Sequence, residues 1–156
     1  MSRLILSIIL CEGAGLIGAI TTFPSILTWY VFLNKPIFTP PNWVFGPVWI
    51  VLYLLMGVSL YLVWKEKDAI KSNERNAGLW YFWAQLVLNV LWSVVFFGGH
   101  SLIGGLIIIV FLWVAIFLTI INFLKVNKIA GYLLIPYFAW VSLATILNIS
   151  LVILNR

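Results

Sequence analysis

The chain has 156 residues, of which 64% are hydrophobic and only 8% carry a charge, with a formal net charge of +5. Soluble domains contain roughly 25% charged residues, so this composition excludes a water-soluble globule and indicates lipid as the main solvent. Nucleic acid is not an expected partner, because the basic residues lie between apolar segments, where they orient membrane proteins.

Five long apolar segments predict five membrane-spanning helices, since a span needs ~20 apolar residues. The predicted spans are 4–23, 44–64, 77–97, 102–124 and 129–154, within one domain covering residues 1–156. The first segment is too long for the apolar region of a signal peptide, so it is expected to be retained. Helices satisfy their backbone internally in lipid, which predicts an all-α membrane protein with a five-helix bundle.

The first span, which Pro24 is expected to end, contains the letters GxGxxG from Gly13 to Gly18. Dinucleotide binding is not expected, because no strand precedes the pattern and no ribose-binding acid follows it. Spacing by four instead predicts close helix packing through small residues, which are Cys11, Gly15, Ala19, Ala14 and Gly18. Glu12 is interpreted as a ligand or proton contact or, preferably, as a protonated or hydrogen-bonded carboxyl at a helix contact or near a cytoplasmic water defect.

Residues 25–42 are predicted to connect the first two spans. Pro36, Pro40 and Pro41 deny this connector helical hydrogen bonding, which predicts an extended, semi-rigid segment. Asn42 is the predicted N-cap of the second span. Because the stretch also concentrates aromatic rings at a membrane boundary, we interpret it as a lid over a flat, hydrophobic ligand.

Three spans each carry a face with aromatic and small or polar residues at helical spacing. These residues are Trp49, Tyr53 and Gly57 in the second span, Gln85, Asn89, Trp92 and Phe96 in the third, and Pro136, Trp140, Ala144 and Asn148 in the fifth. Amides in lipid need partners, so these faces are expected to point inward. The pattern fits either a tightly packed aromatic core or a ligand pocket, and the proline-rich connector favours the pocket.

The basic residues of the connecting segments predict how the chain is oriented in the membrane. Seven of the nine basic residues fall on one side of the membrane, namely Arg3, Lys65, Lys67, Lys71, Arg75, Lys125 and Lys128. The N-terminus and the charged loop 65–76 are therefore expected in the cytoplasm, with the connector and the C-terminus outside. The single histidine, His100, lies in the predicted tight turn 98–101 and is expected to be a solvated turn residue rather than a haem ligand.

The sequence shows no carboxylate pair, no Ser/His/Asp set, no metal-ligand cluster and no phosphate-binding loop. We therefore predict no catalytic residue, no metal site and no obligatory cofactor.

Three blocks resemble the translocator-protein family, also called tryptophan-rich sensory proteins or peripheral-type benzodiazepine receptors. The blocks contain Trp29-Tyr30, Lys35-Pro36 and residues 40–43 and 46–53, then Leu88-Asn89, Trp92 and residues 96–98, then residues 136–140 and 144–148. The resemblance implies a five-helix bundle that binds porphyrins, such as protoporphyrin IX, beneath the connector. It also implies, in some members, sterol and synthetic ligands, and a tendency to form homodimers.

The positions that match the family's pocket are Trp49, Asn89, Trp92, Trp140, Ala144 and Leu147, with Tyr53 and Trp43 as neighbours. With Gln85 and Phe96 from the polar face of the third span, these are the predicted ligand-binding residues. Phe38 stands where the family often has Trp, which weakens the expectation of light-dependent porphyrin chemistry. The C-terminal segment lacks the Tyr of a proposed cholesterol motif, so sterol recognition is not expected.

The predicted function is a membrane receptor or sensor that binds tetrapyrroles. The alternatives are an enzyme that degrades the bound porphyrin in light and a transporter of porphyrins or sterols. Without an inverted repeat, five helices give little basis for alternating access.

Overall fold

The computed structural model describes residues 2–67 and 71–156, and every regular element in these ranges is helical. The α-helices are α1 (Ser2–Thr28), α2 (Asn42–Trp64), α3 (Ser72–Ser93), α4 (Leu102–Val126), α5 (Lys128–Leu133) and α6 (Ile135–Leu154). A 3₁₀ turn, Tyr30–Phe32, follows α1, and a π-helical turn, Val94–Gly98, continues α3. Residues 68–70 of the predicted charged loop, including Asp68, lie outside the described residues.

Five helical segments are long and apolar enough to cross a membrane, and the last of them combines α5 and α6. This confirms the predicted all-α membrane fold. The segments form a ring in which α1 contacts α2 and α3, α3 contacts α4, α4 contacts α5 and α6, and α2 contacts α5. Buried side chains such as Met56, Phe82, Ile116 and Tyr137 fill the centre of the ring.

Three predicted helix boundaries are wrong. Helix α3 begins at Ser72 rather than at residue 77, because a helix can extend beyond its apolar part when the polar residues of its first turns remain in water. Helix α1 continues through Pro24 to Thr28, because one missing donor costs less in lipid than unwinding the backbone that follows. Asn42 is the first residue of α2 rather than its N-cap, and Pro41 holds the cap position without a side-chain hydrogen bond. Proline at the cap already fixes an extended backbone there, which leaves no capping role for Asn42.

The connector is helical at its start and irregular afterwards. Its proline-rich part turns at Pro36, whose carbonyl accepts hydrogen bonds from Thr39 N–H (3.1 Å) and Thr39 Oγ1 (2.7 Å). The Asn34 N–H donates to Asn155 Oδ1 at 2.9 Å, and Asn155 Nδ2 donates to the Asn34 carbonyl at 3.0 Å. The connector is therefore tied across the end of the bundle to the C-terminus of α6.

Tyr30 anchors the start of the connector. Its ring is buried, and this burial raises the pKa of the Tyr30 phenol to about 12. The Lys35 ammonium lies 4.8 Å from the centre of the same ring and donates to the Val31 carbonyl at 3.2 Å. Partial burial lowers the pKa of Lys35. The phenol is neutral at physiological pH, so the contact combines apolar packing with a cation–π attraction.

Small residues bring α1 close to its neighbours, as the sequence predicts. A Cβ on Gly57 would lie 2.7 Å from the Ile8 Cα, and a Cβ on Gly15 would lie 2.6 Å from the Tyr53 ring. Gly13 differs, because a Cβ there would meet nothing within 4 Å. Close contact with α2 thus depends on Gly15 and Gly57 but not on Gly13.

We expect Gly57→Ala to destabilise the bundle by about 1–3 kcal/mol, because the added methyl collides with backbone that cannot rotate away. Gly13→Ala is the matched control and should unfold at or slightly above the wild-type temperature, since alanine favours helix and the space is open. Thermal unfolding in detergent, followed by circular dichroism, measures both. Equal unfolding temperatures for the two variants would contradict close packing at Gly57.

Candidate functional site: an aromatic cavity beside a buried polar network

A cavity lies between α1, α2 and α3, in the half of the bundle nearer the connector. Its free volume is about 160 Å³, or about 820 Å³ with the open space at its mouth. Its walls come from residues between Glu12 and Ile26 of α1, between Phe45 and Tyr53 of α2, and between Asn89 and Phe97 of α3. The lining is predominantly apolar and aromatic, as in sites for hydrophobic small molecules.

The mouth of the cavity opens sideways between α1 and α2. Leu16, Phe23 and Ile50 all line it, yet their side chains are 69%, 58% and 61% exposed. In a membrane-spanning bundle, exposed apolar side chains at this depth face lipid. A hydrophobic ligand would therefore reach the cavity from the bilayer.

The α1 wall is formed largely by small residues. Gly15, Gly18 and Ala19 line the cavity, together with Glu12 at its inner end. The Glu12 carboxyl is half-buried and makes no hydrogen bond to any described residue. The hydrogen-bonded form of Glu12 thus finds no partner among the described residues, while a ligand or proton contact and a protonated carboxyl stay predictions.

Aromatic rings form the α2 and α3 walls. Trp49 stacks on Tyr53 with ring centroids 5.4 Å apart and an interplanar angle of 30°. Trp92 stacks on Phe96 at 5.2 Å and meets the Phe97 ring edge-on at 5.7 Å. Such offset and edge-on contacts hold aromatic rings in fixed orientations. Of the predicted site residues, Trp49, Tyr53, Asn89 and Trp92 line the cavity.

A chain of hydrogen bonds runs behind this aromatic surface. Tyr53 Oη donates to Asn89 Oδ1 at 2.6 Å, and Asn89 Nδ2 donates to Tyr137 Oη at 2.7 Å. Tyr137 Oη in turn donates to Gln85 Oε1 at 2.8 Å. Gln85 Nε2 is buried without a partner. The predicted inward face of the third span is confirmed, and its amides connect α2, α3 and α6.

Tyr137 is not among the site residues that the sequence predicts. The signal was present, because Tyr137 precedes Asn148 by three helical turns and therefore lies on the same face of α6. Asn148 makes a second link of the same kind, accepting from Trp92 Nε1 at 3.3 Å and donating to the Leu102 carbonyl at 2.9 Å. Buried polar atoms on α6 thus join it to α3 and α4.

The remaining predicted site residues do not line the cavity. Gln85, Phe96 and Leu147 are buried behind it, and Trp43 is 75% exposed on the first turn of α2. Trp140 and Ala144 are half-buried on α6. Trp140 meets Phe45 edge-on at 5.8 Å, so a single ring separates it from the cavity.

His100 lies in the turn before α4 and is not among the residues that line the cavity. Its backbone φ is 51°, a left-handed conformation that is uncommon outside glycine. The imidazole stacks on Trp29 at 4.7 Å with an interplanar angle of 13°. Ser25 Oγ donates to the Phe97 carbonyl at 2.6 Å and lies 3.5 Å from His100 Nε2. The exposed turn predicted for His100 is confirmed, and the ring also packs against the end of α1.

Comparison with known proteins agrees with this architecture. The TspO/MBR family matches residues 7–154, and the chain belongs to this family. It is 40% identical to the tryptophan-rich protein TspO of Archaeoglobus fulgidus over 98% of this chain and 97% of the relative. Identity to the TspO of Chlorobaculum tepidum is 42% over 99% of both chains. Identity to the human translocator protein is 38%, over 78% of this chain and 72% of the human protein.

We expect Tyr137→Phe to destabilise the bundle by about 1–3 kcal/mol, because it leaves Asn89 Nδ2 and Gln85 Oε1 buried without partners. Tyr132→Phe is the control, since Tyr132 is exposed. Unfolding midpoints in detergent should fall for the first variant and stay unchanged for the second. A Tyr137→Phe protein as stable as the wild type would show that the network contributes no net stability.

Proposed function

We propose that this protein is a membrane receptor or sensor that binds tetrapyrroles such as protoporphyrin IX in the aromatic cavity. The observation that carries the proposal is a lipid-accessible cavity walled by Trp49, Tyr53 and Trp92, with the Asn89 amide at its base. Indole and phenol rings stack on a flat macrocycle, and their fixed orientation lowers the entropic cost of binding.

A bound macrocycle would need more room than the free volume inside, because sites for drug-sized ligands occupy roughly 300–1,000 Å³. The open mouth supplies part of this space. Displacement of the Phe45 ring would supply more and would bring Trp140, Ala144 and Leu147 of α6 into the site. The proposed site therefore contains these three residues together with the cavity wall, while Gln85 and Phe96 support it from behind.

Light-dependent degradation of the bound porphyrin is a second candidate function. It is favoured by the Trp49 and Trp92 indoles, which would lie against the pigment and are readily oxidised groups. Comparing pigment absorbance in illuminated and dark samples of the complex tests this candidate. Loss of absorbance in light at the same rate with and without the protein would exclude an enzymatic role.

We expect Trp49→Leu to weaken protoporphyrin IX binding about 5–30-fold, equivalent to about 1–2 kcal/mol of lost stacking and buried area. Trp80→Leu is the matched control, since Trp80 lies 71% exposed on the outer surface of α3. Ala144→Thr should also weaken binding if α6 completes the site. Quenching of intrinsic fluorescence in detergent gives each Kd. Non-saturable titration of the wild type would overturn the proposal.

We also propose a cytoplasmic N-terminus and a homodimer. Orientation is supported by the excess of basic residues at the N-terminal end of α1. Dimerisation is supported by an exposed apolar surface on α1 that includes Ile17, Ile20 and the open position at Gly13.

Orientation predicts opposite labelling of two positions in a Cys11→Ser background. Ile37 of the connector and Lys67 of the charged loop are both exposed. In intact cells, a membrane-impermeant thiol reagent should label Ile37→Cys and leave Lys67→Cys unlabelled until the cells are lysed. The reverse pattern would place the N-terminus outside.

A further inference from the structure

A second groove lies at the opposite end of the bundle from the connector, where α1 begins, α2 ends and α3 begins. It has a volume of about 350 Å³ and is lined by Arg3, Trp64, Arg75, Asn76 and Leu79. Neither the aromatic cavity nor the polar network shares any of these residues. The groove is therefore a separate feature of the molecule.

Two guanidinium groups dominate the charge of this groove. Arg75 Nη1 donates to the Glu66 carbonyl at 2.8 Å, which fixes the side chain while leaving its other donors available. Arg3 makes no hydrogen bond or ion pair with any described residue. A guanidinium presents a planar fork of donors that matches the oxygens of a phosphate group.

The surroundings of the groove also favour an anion. Lys65 lies over the Tyr61 ring at 5.1 Å, and Lys71 donates to the Val126 carbonyl at 3.1 Å. Lys71 occupies the N-cap position of α3, the helix that supplies Arg75, Asn76 and Leu79 to the groove, so its charge adds to that of the arginines. Glu66 and Glu74 are the acidic residues of the adjoining described segments and partly offset these charges.

The position of the groove favours a lipid headgroup over a soluble phosphate. Arg3 begins the first membrane span and Trp64 ends the second, so the groove lies at the membrane boundary. The Trp64 indole and the Leu79 side chain add apolar surface beside the two cations, which suits the glycerol and upper acyl region of a lipid. A soluble phosphate would use the cations alone.

We propose that the groove formed by Arg3, Trp64, Arg75, Asn76 and Leu79 binds the phosphate group of an anionic phospholipid. Basic pockets between membrane helices are known to hold such headgroups. The Arg3 and Arg75 guanidinium groups contact the phosphate oxygens, and the Asn76 amide donates to the headgroup. Trp64 and Leu79 contact the apolar part of the lipid.

The test uses the purified full chain in an uncharged detergent, titrated calorimetrically with short-chain phosphatidylglycerol, phosphatidylcholine of equal chain length, and inorganic phosphate. Phosphatidylglycerol should bind saturably with one lipid per chain, at least about tenfold more tightly than the other two ligands. Arg3→Gln should weaken this binding about tenfold, because it removes charge-assisted hydrogen bonds but no internal contact. Lys125→Gln is the matched control, because it removes one exposed charge at the same end of the bundle, outside the groove, and should bind like the wild type.

Three results would overturn the proposal. Equal affinity for phosphatidylcholine would show that the negative charge is not recognised. Equal affinity for inorganic phosphate would assign the groove to a soluble anion and not to lipid. Equal weakening by Arg3→Gln and Lys125→Gln would reduce the effect to general surface charge. Helical content measured on both variants confirms that the compared proteins are folded.

Discussion

The hydrogen bond between Asn89 and Tyr137 determines how the centre of this bundle is assembled. Lipid offers no partner for an amide or a phenol, so polar side chains in the spans must find one another. Asn89 meets Tyr53 of α2 on one side and Tyr137 of α6 on the other. These contacts fix the rotation of α2, α3 and α6 about their own axes. The rotation of α2 and α3 in turn brings Trp49 and Trp92 to the cavity.

Helix α1 is held to the bundle in a different way. It contributes no member to the chain from Tyr53 to Gln85, and its contact with α2 depends on the absence of side chains at Gly15 and Gly57. Van der Waals packing of small residues is the usual source of such association in lipid. The α2 and α3 walls are thus joined by buried hydrogen bonds, whereas the α1 wall depends mainly on packing, with one hydrogen bond from Ser25 to the Phe97 carbonyl. The lateral mouth of the cavity lies beside the α1 wall.

The two ends of the bundle have contrasting chemistry. The connector end is mainly aromatic, with Trp29 stacked on His100 and the Lys35 ammonium lying over the Tyr30 ring. The other end carries Arg3 and Arg75 around an open groove. A hydrophobic ligand and an anionic headgroup would therefore occupy different ends of the same protein without competing for residues.

The sequence by itself determined the fold class, the number of spans and the inward faces. Apolar length, spacing by three and four, and the cost of unpaired amides in lipid are all local properties, so Gln85, Asn89 and Trp92 were correctly predicted to point inward. The residues at which helices begin and end were predicted less well from the sequence. In a soluble protein, Pro24 would be expected to end the helix. In lipid, ending the helix would leave backbone groups without hydrogen-bond partners, so α1 continues through Pro24.

Tertiary structure alone decided which inward residues surround free space. Trp49 and Trp140 have similar sequence signals, yet Trp49 lines the cavity while Trp140 packs against Phe45. The difference arises because α1 lies against α2 and α3, and spacing along one helix carries no information about which neighbour it meets. For the same reason, the helical spacing of Tyr137 indicates its inward face but not its partners, which lie 48 and 52 residues away in the sequence. The same limit hid the groove at Arg3 and Arg75, because the approach of these two side chains depends on the packing of three helix ends.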